Sequence, residues 1–532
     1  MNHLKKKLLY LICLSVVFAG SCKDDESGSN LKSIEVTPQS LSLAVGESKE
    51  VTVKTDPLNA TGVSFLWESD DKSIATTRGI GPVSGAVTGV AKGATTITVK
   101  SGNISKKIPV TVTQSQQILI GGVSYSIDTL NYEVVSQGVQ WFKFSIPEYV
   151  NNVGLKGKGL VVNALEVDLS FPSNKIDVWT ASLVTANVER PTVAYKRLKI
   201  EYASSGLKPV AATNGDFYLL SSVNDTYGYV DNRPRGIEIS SGMVVQTPFN
   251  DPREGTYRGA FIFGDDRFPR YTNQIGFSGR VDFGNESIKL QEVNGFAKEG
   301  ELVLFNNRAN SWPTDSALVW SPYTSTMVSL SYPEGGWRVN DRMEFTVTAI
   351  DYDVKSTIPA PTTSPYYSGG KDFNGEGAIL VGNPSSPSLN DASKLFLSKL
   401  KVGDKVGVKM DILVNGAAVP DKKMNAIGFR HDMLKRGVVY NTWNEVHPRT
   451  AIGYSQDQKK VYLLVVDGRN VNYSVGATTG VLGTILKWLG AYEGVNLDGG
   501  GSSVMVVDGE IKNKPSDGSE RAVANGLIVL TK

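Results

Sequence analysis

The chain has 532 residues, more than one compact domain usually holds, so several units are expected. Its 55 Lys and Arg residues nearly balance 53 Asp and Glu residues, so no strong overall field attracts nucleic acid. Two cysteines and three histidines exclude a disulfide scaffold, a multi-cysteine zinc site and a histidine-based metal cage. Chemistry in this chain must therefore rest mainly on carboxylates, arginines, asparagines and backbone amides.

The N-terminal segment has the pattern of an export signal. Lysines at 5–7 precede the apolar stretch Leu8–Gly20, which is too short to span a bilayer comfortably, and small residues then lead to Cys22. This arrangement resembles a bacterial lipobox and predicts a signal peptide over residues 1–21 and lipidation of Cys22. A lipid anchor at Cys22 predicts a lipoprotein of the outer membrane. A plain secretory peptide with an incidental cysteine is the alternative.

Residues 22–30 are predicted to form a lipidated, flexible tether. Its acidic run, Asp24 to Glu26, resembles the export tag of surface lipoproteins in the Bacteroidota and predicts display at the cell surface. A merely solvated tether, with the protein facing the periplasm, is the alternative.

Residues 31–113 contain short runs that alternate between apolar and polar side chains. Pairs such as Val51 and Val53, or Ile97 and Val99, place apolar side chains on one face of a strand, which predicts a β-sandwich. The motifs resemble the group 2 bacterial Ig-like domains; they include Ile34–Pro38, Val45–Glu47, Trp67–Asp70, Gly85–Val90 and Gly93–Val99. The resemblance implies a spacer, or alternatively a glycan-binding or adhesion module, without catalysis.

The remainder, residues 118–532, is predicted to be one large, mainly β domain with a few helices. The fold class is therefore α+β, mainly β, with an Ig-like sandwich followed by a large mixed domain. A split into two parts is the alternative, because the segment exceeds the usual size of a single core. The strand-like runs are Leu160–Leu169, Arg197–Tyr202, Gly259–Phe263, Glu301–Phe305, Glu344–Ile350 and Lys405–Leu413.

Two predicted strands and a helix near the C-terminus point to a site. The apolar run Val461–Val466 predicts a buried strand that ends at Asp467, and a second strand ends at Asp498. Between them, apolar residues at helical spacing predict a packed helix: Val481, Leu482, Ile485, Leu486 and Leu489. Ligands often bind where such strands end, so we expect Asp467 and Asp498 to lie at a site.

Three glycines, Gly499, Gly500 and Gly501, directly follow Asp498. Such a run predicts unusual backbone angles or a close approach of backbone to ligand, and its amides with Ser502 can hold anionic oxygens. The alternative is a tight hairpin capped by the aspartate. No Gly-Lys-Ser/Thr motif follows the glycines, which argues against a P-loop.

Other fragments carry residues suited to the same site. Asn214 and Asp216 follow an apolar run, Arg449 precedes the Val461 strand, and Arg521 and Asn525 precede the last strand, Leu527–Leu530. Arginine matches the geometry of phosphate oxygens, which makes Arg449 and Arg521 the natural anion ligands. A structural salt bridge is the alternative for either arginine alone.

These fragments resemble the phosphodiester glycosidase family, over roughly residues 118–532 and most strongly from 449 onward. The motifs, in order, are Asn214–Tyr218, Arg449–Gly453, Asp467–Arg469, Asn496–Ser503, Lys514–Asp517 and Arg521–Asn525. One position departs from the family, which often has Gly where this chain has Asp216. The resemblance implies hydrolysis at an anomeric carbon that bears a phosphate diester, with an N-acetylglucosamine-type sugar.

The resemblance also implies roles for these residues. Asp498 is expected to be the essential carboxylate, with Asp467 as a second carboxylate or as an orienting group; Glu166 and Asp216 are reserve candidates. His431 and His447 could serve as acid or base, but a structural histidine is the favoured alternative for each. The expected substrate and phosphate ligands are Asn214, Asp216, Arg449, Asn496, Gly499, Gly500, Gly501, Ser502, Arg521 and Asn525. The alternatives are a non-catalytic glycan-binding lipoprotein and a conventional glycosidase.

The predicted partners are a carbohydrate phosphodiester and, through Cys22, a membrane; no nucleic acid is expected. No cofactor is expected. A Ca²⁺ or Mg²⁺ ion held by Asp467, Asn496 and Asp498 is the alternative, although their spacing matches no EF-hand.

Overall fold

The computed structural model describes residues 30–532 except 46, 59, 114–115, 152–156, 184–186, 220–231, 249, 252–254, 295–301, 309–323, 356–375 and 383–390. The predicted signal peptide and Cys22 lie outside the described residues. The chain divides into two compact units, the first ending at Thr113 and the second beginning at Gln114.

The first unit is a sandwich of two four-stranded sheets. One sheet has the order β1-β3-β6-β5 and the other β2-β8-β7-β4, with the strands β1 (Ser33–Thr37), β2 (Leu41–Ala44), β3 (Ser48–Asp56), β4 (Leu66–Ser69), β5 (Ala75–Gly81), β6 (Ser84–Gly89), β7 (Gly93–Ser101) and β8 (Ile104–Thr113). Buried and exposed residues alternate along β1 and β8, and the buried sides form a single apolar core. The predicted sandwich is confirmed.

The second unit consists mostly of strands. Its first part contains β9 (Gln117–Ile120), β10 (Val123–Ser126), β11 (Asp128–Ser136), β12 (Val139–Asn151), β13 (Gly157–Asp168), β14 (Lys175–Thr180), α1 (Pro191–Glu201) and β15 (Lys208–Asn214). The middle contains β16 (Glu238–Ser240), β17 (Met243–Gln246), β18 (Asn250–Asp251), β19 (Gly255–Thr256), β20 (Gly259–Phe263), β21 (Pro269–Thr272), β22 (Ile275–Phe283), β23 (Glu286–Val293), β24 (Leu302–Asn306), β25 (Thr324–Ser331), β26 (Arg342–Lys355), β27 (Glu376–Val381), α2 (Ala392–Leu397), β28 (Lys405–Val414), β29 (Ala417–Ala418) and β30 (Asn425–Phe429). The last part contains β31 (His431–Lys435), β32 (Val438–Val439), β33 (Arg449–Tyr454), β34 (Lys460–Val466), α3 (Thr479–Leu489), β35 (Glu493–Asn496), β36 (Met505–Val507), β37 (Glu510–Ile511) and β38 (Asn525–Thr531).

Two sheets pack against each other at the centre of this unit. One has the order β11-β12-β13-β34-β33-β35-β31-β32 and the other β14-β38-β15-β36-β37. Apolar residues from both sheets, among them Leu463 and Leu527, share the core between them. Helix α3 covers the far face of the larger sheet, and α1 covers the far face of the smaller one.

The strand directions bring the predicted site residues to one edge. Strands β34 and β35 are each antiparallel to β33, so they run parallel to each other with α3 between them in the chain. The ends of β34 and β35 and the beginning of β33 therefore lie along the same edge of the sheet. This edge carries Arg449, Asp467 and Asp498, as the sequence predicted.

A closed barrel follows in the middle of the chain. The strands pair in the ring β22-β23-β24-β27-β25-β26-β28, and β28 pairs back with β22. Its core is shared with one face of a third sheet, β17-β16-β30-β20-β21, whose other face packs against the two central sheets. Along β20, Ala260 and Ile262 point into the barrel core, whereas Phe261 and Phe263 point into the central core.

The prediction of a mainly β fold is confirmed, but one predicted strand is wrong. Residues Arg197–Tyr202 lie at the end of α1, whose buried residues Pro191, Ala194, Tyr195 and Leu198 recur at helical spacing. Proline at the first helical position favours this start because its fixed φ suits a helix. No helix among the described residues is long and apolar enough to cross a membrane.

Candidate active site

Asp498 lies two residues after the end of β35, where the two central sheets meet. Its backbone N–H donates to the carbonyl of Gly215 (2.9 Å), and its own carbonyl accepts from Nδ2 of Asn214 (2.8 Å). The Oδ1 atom of Asn214 accepts from the Thr450 hydroxyl (2.8 Å) and the Val504 N–H (3.1 Å). Asn214 is fully buried and links both sheets to the aspartate. These contacts favour a role for Asn214 in positioning Asp498 over direct contact with substrate.

The Asp498 carboxylate is held at the mouth of the site and is partly exposed. Its Oδ1 atom accepts from the N–H of Gly499 (2.8 Å). Burial raises its pKa to about 6, while the Ser502 hydroxyl, the Gly499 N–H and the charges of Arg521 and Arg235 lower it. Asp498 is therefore mostly ionised at neutral pH and can accept a proton or attack an electrophilic carbon.

The three glycines form a short 3-10 turn that packs against side chains of the site. Gly500 has a φ of 61°, a conformation that favours glycine, and its N–H donates to the carbonyl of Pro448 (2.8 Å). A side chain at Gly501 would collide with Asp517 and Arg521. The N–H of Gly501 has no acceptor among the described residues.

Three arginines surround the glycine turn. Arg521 donates to Oδ2 of Asp517 through both Nε and Nη2, which fixes its plane. Arg449 is almost completely buried and contributes to the field around Asp498. Arg469, which the sequence analysis did not assign, approaches Gly500, and its Nη1 lies 4.0 Å from Oδ1 of Asp517. The residues therefore create a cationic environment next to the carboxylate.

Arg449 is held by backbone carbonyls and an aromatic ring. Its Nε donates to the carbonyl of Ala477 (3.1 Å), its Nη2 donates to that of Glu445, and its Cζ lies 4.3 Å from the centroid of Trp443. Burial lowers its pKa to about 10, while the charges of Glu445 and Asp498 raise it. Arg449 thus stays a cation throughout the physiological pH range.

Arg469 has a backbone φ of 60°, which is uncommon for a residue with a side chain. Its Nη2 lies 3.5 Å from Nδ1 of His447, whose Nε2 is 3.1 Å from the Glu445 carboxylate. The Asp-Gly-Arg sequence at the end of β34 was the available signal. Sequence alone could not assign the role, because only the fold brings Arg469 to the glycine turn.

Asp467 is buried and its carboxylate is fully engaged. Oδ1 accepts from Nδ2 of Asn513 (3.2 Å) and the N–H of Lys514 (3.0 Å), and Oδ2 accepts from the Tyr473 hydroxyl (3.1 Å). Burial raises its pKa to about 6, although these bonds lower it. Of its two predicted roles, the contacts favour the orienting one, because it fixes the segment that leads to Asp517.

Asp216 lies beneath the site in a chain of buried polar groups. Its N–H donates to Oδ1 of Asn525 (2.9 Å), whose Nδ2 donates to Glu238 (2.8 Å). The Gly236 N–H donates to Oδ2 of Asp216 (2.6 Å). The other carboxylate oxygen of Asp216, Oδ1, is buried without a partner among the described residues. Burial, together with the charges of Asp498 and Glu238, raises the pKa of Asp216 to about 7, although hydrogen bonds from the N–H groups of Gly236 and Phe217 lower it. Asp216 and Asn525 therefore line the base of the site rather than its opening.

An aromatic and basic rim borders the site. The Cζ atom of Arg430 lies 5.3 Å from the ring centroid of Trp443, 5.9 Å from that of Tyr257 and 6.0 Å from that of Phe217. Arg235 also lies over Tyr257, at 5.4 Å, and donates to its hydroxyl (2.8 Å). The sequence gives no signal for this rim, because its residues come from separate loops without a common motif.

The remaining predicted residues are Asn496, Glu166, His431 and His447. Asn496 is fully buried within β35, and neither atom of its side-chain amide has a partner among the described residues. Glu166 binds Lys460 (2.9 Å) near the beginning of β34, so it lies towards the opposite end of the strand from Asp467. The His431 ring lies 5.4 Å from Trp443, and that of His447 lies 6.2 Å away, which places both at the rim.

A metal ion remains the alternative that the sequence raised. Within the described residues, no three His, Cys, Asp or Glu side chains come together as a group that could hold one. Asp467, one of the three predicted ligands, instead accepts hydrogen bonds from three protein donors.

Two segments of the chain match known protein families. Residues 361–530 match the phosphodiester glycosidases, and residues 30–124 match the bacterial Ig-like domain (group 2). The first segment contains Arg449, Asp467, Asp498 and Arg521. A curated relative, the SPbeta prophage-derived uncharacterized protein YomE of Bacillus subtilis (strain 168), is 35% identical over 137 residues, or 24% of this chain. The chain spans 20% of the length of that relative.

The fold is similar to that of a solved bacterial protein. A protein of Burkholderia pseudomallei K96243 described as exported has a TM-score of 0.53 at 16% identity, covering 78% of this chain and 99% of that chain. The zebrafish N-acetylglucosamine-1-phosphodiester alpha-N-acetylglucosaminidase catalytic domain, auto-inhibited by its pro-peptide, has a TM-score of 0.35 at 14% identity, covering 78% and 95%. The family matches confirm both resemblances carried by the sequence motifs, to the group 2 bacterial Ig-like domains and to the phosphodiester glycosidases, over the residues matched.

Proposed function

We propose that this protein hydrolyses the bond between the anomeric carbon of an N-acetylglucosamine-type sugar and a phosphate diester in a glycan. The observation that carries the proposal is the placement of one ionised carboxylate, Asp498, among Arg449, Arg469 and Arg521 beside an unpaired backbone N–H at Gly501. A carboxylate and a cluster of anion ligands are the two components that such a reaction needs.

The reaction follows from these groups. Water adds to the anomeric carbon, the bond from that carbon to the phosphate oxygen breaks, and the water proton passes to Asp498. A phosphate monoester leaves with its bonding electron pair. In the double-displacement alternative, Asp498 itself adds to the anomeric carbon and water later releases the sugar.

The arginines explain why a strong general acid is unnecessary. A phosphate leaves readily as an anion, and guanidinium groups can bind its oxygens through paired N–H donors. Asp517 fixes the plane of Arg521, and the Trp443 ring with two carbonyls fixes Arg449. Because these cations are held before substrate binds, they can stabilise the developing charge without reorganisation.

The test is release of sugar from UDP-N-acetylglucosamine, an α-linked sugar-1-phosphate diester, compared with an aryl N-acetylglucosaminide that lacks phosphate. We expect release from the diester and at least about a hundredfold lower kcat/KM on the aryl glycoside. Comparable rates on both would instead establish a conventional glycosidase. Binding of several sugar-1-phosphate diesters without release would support the glycan-binding alternative.

We also propose that the protein is anchored to the outer membrane through lipid on Cys22 and displayed at the cell surface. The lysine run, the apolar stretch and the acidic residues after Cys22 support this proposal. Cells expressing the full chain should incorporate labelled palmitate into it, and Cys22→Ser should abolish the label. Protease added to intact cells should degrade the surface protein; protection would place it on the periplasmic side.

A further inference from the structure

A row of charged and polar side chains borders the glycine turn. The carboxylate of Glu445 lies 3.1 Å from Nε2 of His447, and Nδ1 of His447 lies 3.5 Å from Nη2 of Arg469. The Nη1 atom of Arg469 lies 4.0 Å from Oδ1 of Asp517, whose Oδ2 accepts from Nε of Arg521 (3.0 Å). The five residues therefore form one continuous series of contacts that links two arginines of the site.

This row packs directly against the glycines. A side chain at Gly500 would meet Nη2 of Arg469 at 3.0 Å, and one at Gly501 would collide with Asp517 and Arg521. Because both positions are glycine, the two guanidinium groups can lie against the backbone of the turn. The placement of Arg469 and Arg521 thus depends on the lack of side chains there.

Arg469 is held less firmly than the other two arginines of the site. Arg521 donates twice to Asp517, and Arg449 is almost completely buried. The side chain of Arg469 is 43% exposed, its contact with Asp517 is long, and its backbone φ is 60°. Exposed ion pairs stabilise little, and a left-handed backbone at such a residue persists only where its surroundings determine it. The contact with His447 therefore has a large share in fixing this guanidinium group.

The two partners of His447 determine which ring nitrogen carries the proton. The hydrogen bond with His447 lowers the pKa of Glu445, so this group is a carboxylate at neutral pH and can only accept. A guanidinium group can only donate, so in the neutral ring Nε2 carries the proton and Nδ1 accepts from Arg469. Both ring nitrogens are engaged, which favours a structural role for His447 over that of a general acid or base.

We propose that His447, supported by Glu445, is a positioning residue that holds the Arg469 guanidinium against the glycine turn, where it binds oxygens of the departing phosphate. This inference rests on the proposed function and adds to it the residue that orients one of the anion ligands. Because Arg469 is oriented before substrate binds, its charge can stabilise the developing phosphate anion without reorganisation. His447 acts only through Arg469, so its loss costs no more than the loss of Arg469 itself.

The experiment is a double-mutant cycle on kcat/KM for UDP-N-acetylglucosamine, at pH 8, where imidazole is ordinarily neutral. Arg469→Ala should lower kcat/KM roughly 30- to 100-fold, and His447→Ala roughly 10-fold. The double variant should match Arg469→Ala within about twofold. His447→Asn should recover most of the loss, because its Oδ1 can replace Nδ1 as the acceptor. Glu510→Ala is the control; it removes an exposed carboxylate that pairs with Lys512 (3.2 Å) and should retain wild-type kcat/KM.

Losses that multiply in the double variant, or no loss in His447→Ala, would overturn the inference and leave the proposed hydrolysis in place. Equal losses in His447→Asn and His447→Ala would also overturn it, since Nδ1 would then not be the acceptor that matters.

A binding measurement keeps the inference testable if no sugar is released. By calorimetry with UDP, the product expected from the nucleotide sugar, Arg469→Ala should weaken binding at least about tenfold and His447→Ala about three- to fivefold. The double variant should bind UDP no more weakly than Arg469→Ala. UDP affinities that do not differ between wild type and variants, or no binding by the wild type, would refute the inference independently of turnover.

Discussion

Asp498→Asn is expected to lower kcat by about 10³-fold or more and to leave the fold intact. Asparagine has the same shape, and its Oδ1 can still accept from the N–H of Gly499, so the turn should persist. The backbone bonds of Asp498 with Gly215 and Asn214 do not depend on its side-chain charge. What is lost is the negative oxygen that takes the proton or attacks the anomeric carbon.

The measurement is the single-turnover rate on UDP-N-acetylglucosamine, with binding followed separately by calorimetry. The control is Asp508→Asn, an exposed aspartate at the turn after β36, which should retain wild-type kcat. The pKa of Asp498 is about 6, so the wild-type rate should rise as pH increases through that value. A variant that retains more than about a tenth of kcat would assign the chemistry to another group.

The second large effect concerns stability and pH. Burial raises the pKa values of both Asp216 and Glu238 to about 7 in the folded protein, well above about 4 in an unfolded chain. Folding therefore favours the protonated form of each carboxyl group. The contribution of these groups to the free energy of unfolding is complete below about pH 4 and is lost as pH rises through 7. We expect each group to cost on the order of 2–3 kcal/mol of unfolding free energy between pH 5 and pH 8.

Asp216→Asn should remove the part of this decrease in unfolding free energy that Asp216 causes, because the amide stays neutral at every pH. The amide oxygen can still accept from the Gly236 N–H. Denaturant unfolding at pH 5, 6, 7 and 8 measures how the free energy of unfolding changes with pH. This slope should be flatter in the variant than in the wild type. Glu286→Gln provides the control, because that residue pairs with Lys399 on the surface and should leave the slope unchanged. An unchanged slope in Asp216→Asn would show that this carboxyl is ionised or solvated in the folded protein.

Local pattern was sufficient to predict the secondary structure around the candidate site. The apolar run before Asp467, the helical spacing of α3 and the glycines after Asp498 each encode a strand end, a packed helix and a tight turn within a few residues. The antiparallel pairing of β33 with both neighbours then brings these ends together. That pairing is a long-range property, which the local motifs do not encode.

Residues that act through distant partners could not be predicted in the same way. The carboxylate of Asp467 looked catalytic because a strand ends there, yet its partners Tyr473 and Asn513 are set by the fold. The rim of Tyr257, Arg430 and Trp443 assembles from loops far apart in the chain. The residues at 197–202 were predicted as a strand because β-branched and aromatic residues outweighed the helical spacing that begins at Pro191.

The barrel is an insertion along the chain and an integral part of the core. The chain enters it at Ile275, which pairs with Val414 near its exit, so the segment between β21 and β30 begins and ends at neighbouring points. Such an arrangement normally permits exchange or deletion of a module. Here, however, the barrel shields one apolar face of the sheet that contains β20 and β30, including Ala260, Ile262 and Ala426. A chain that lost the whole barrel would therefore need another cover for that face to stay soluble.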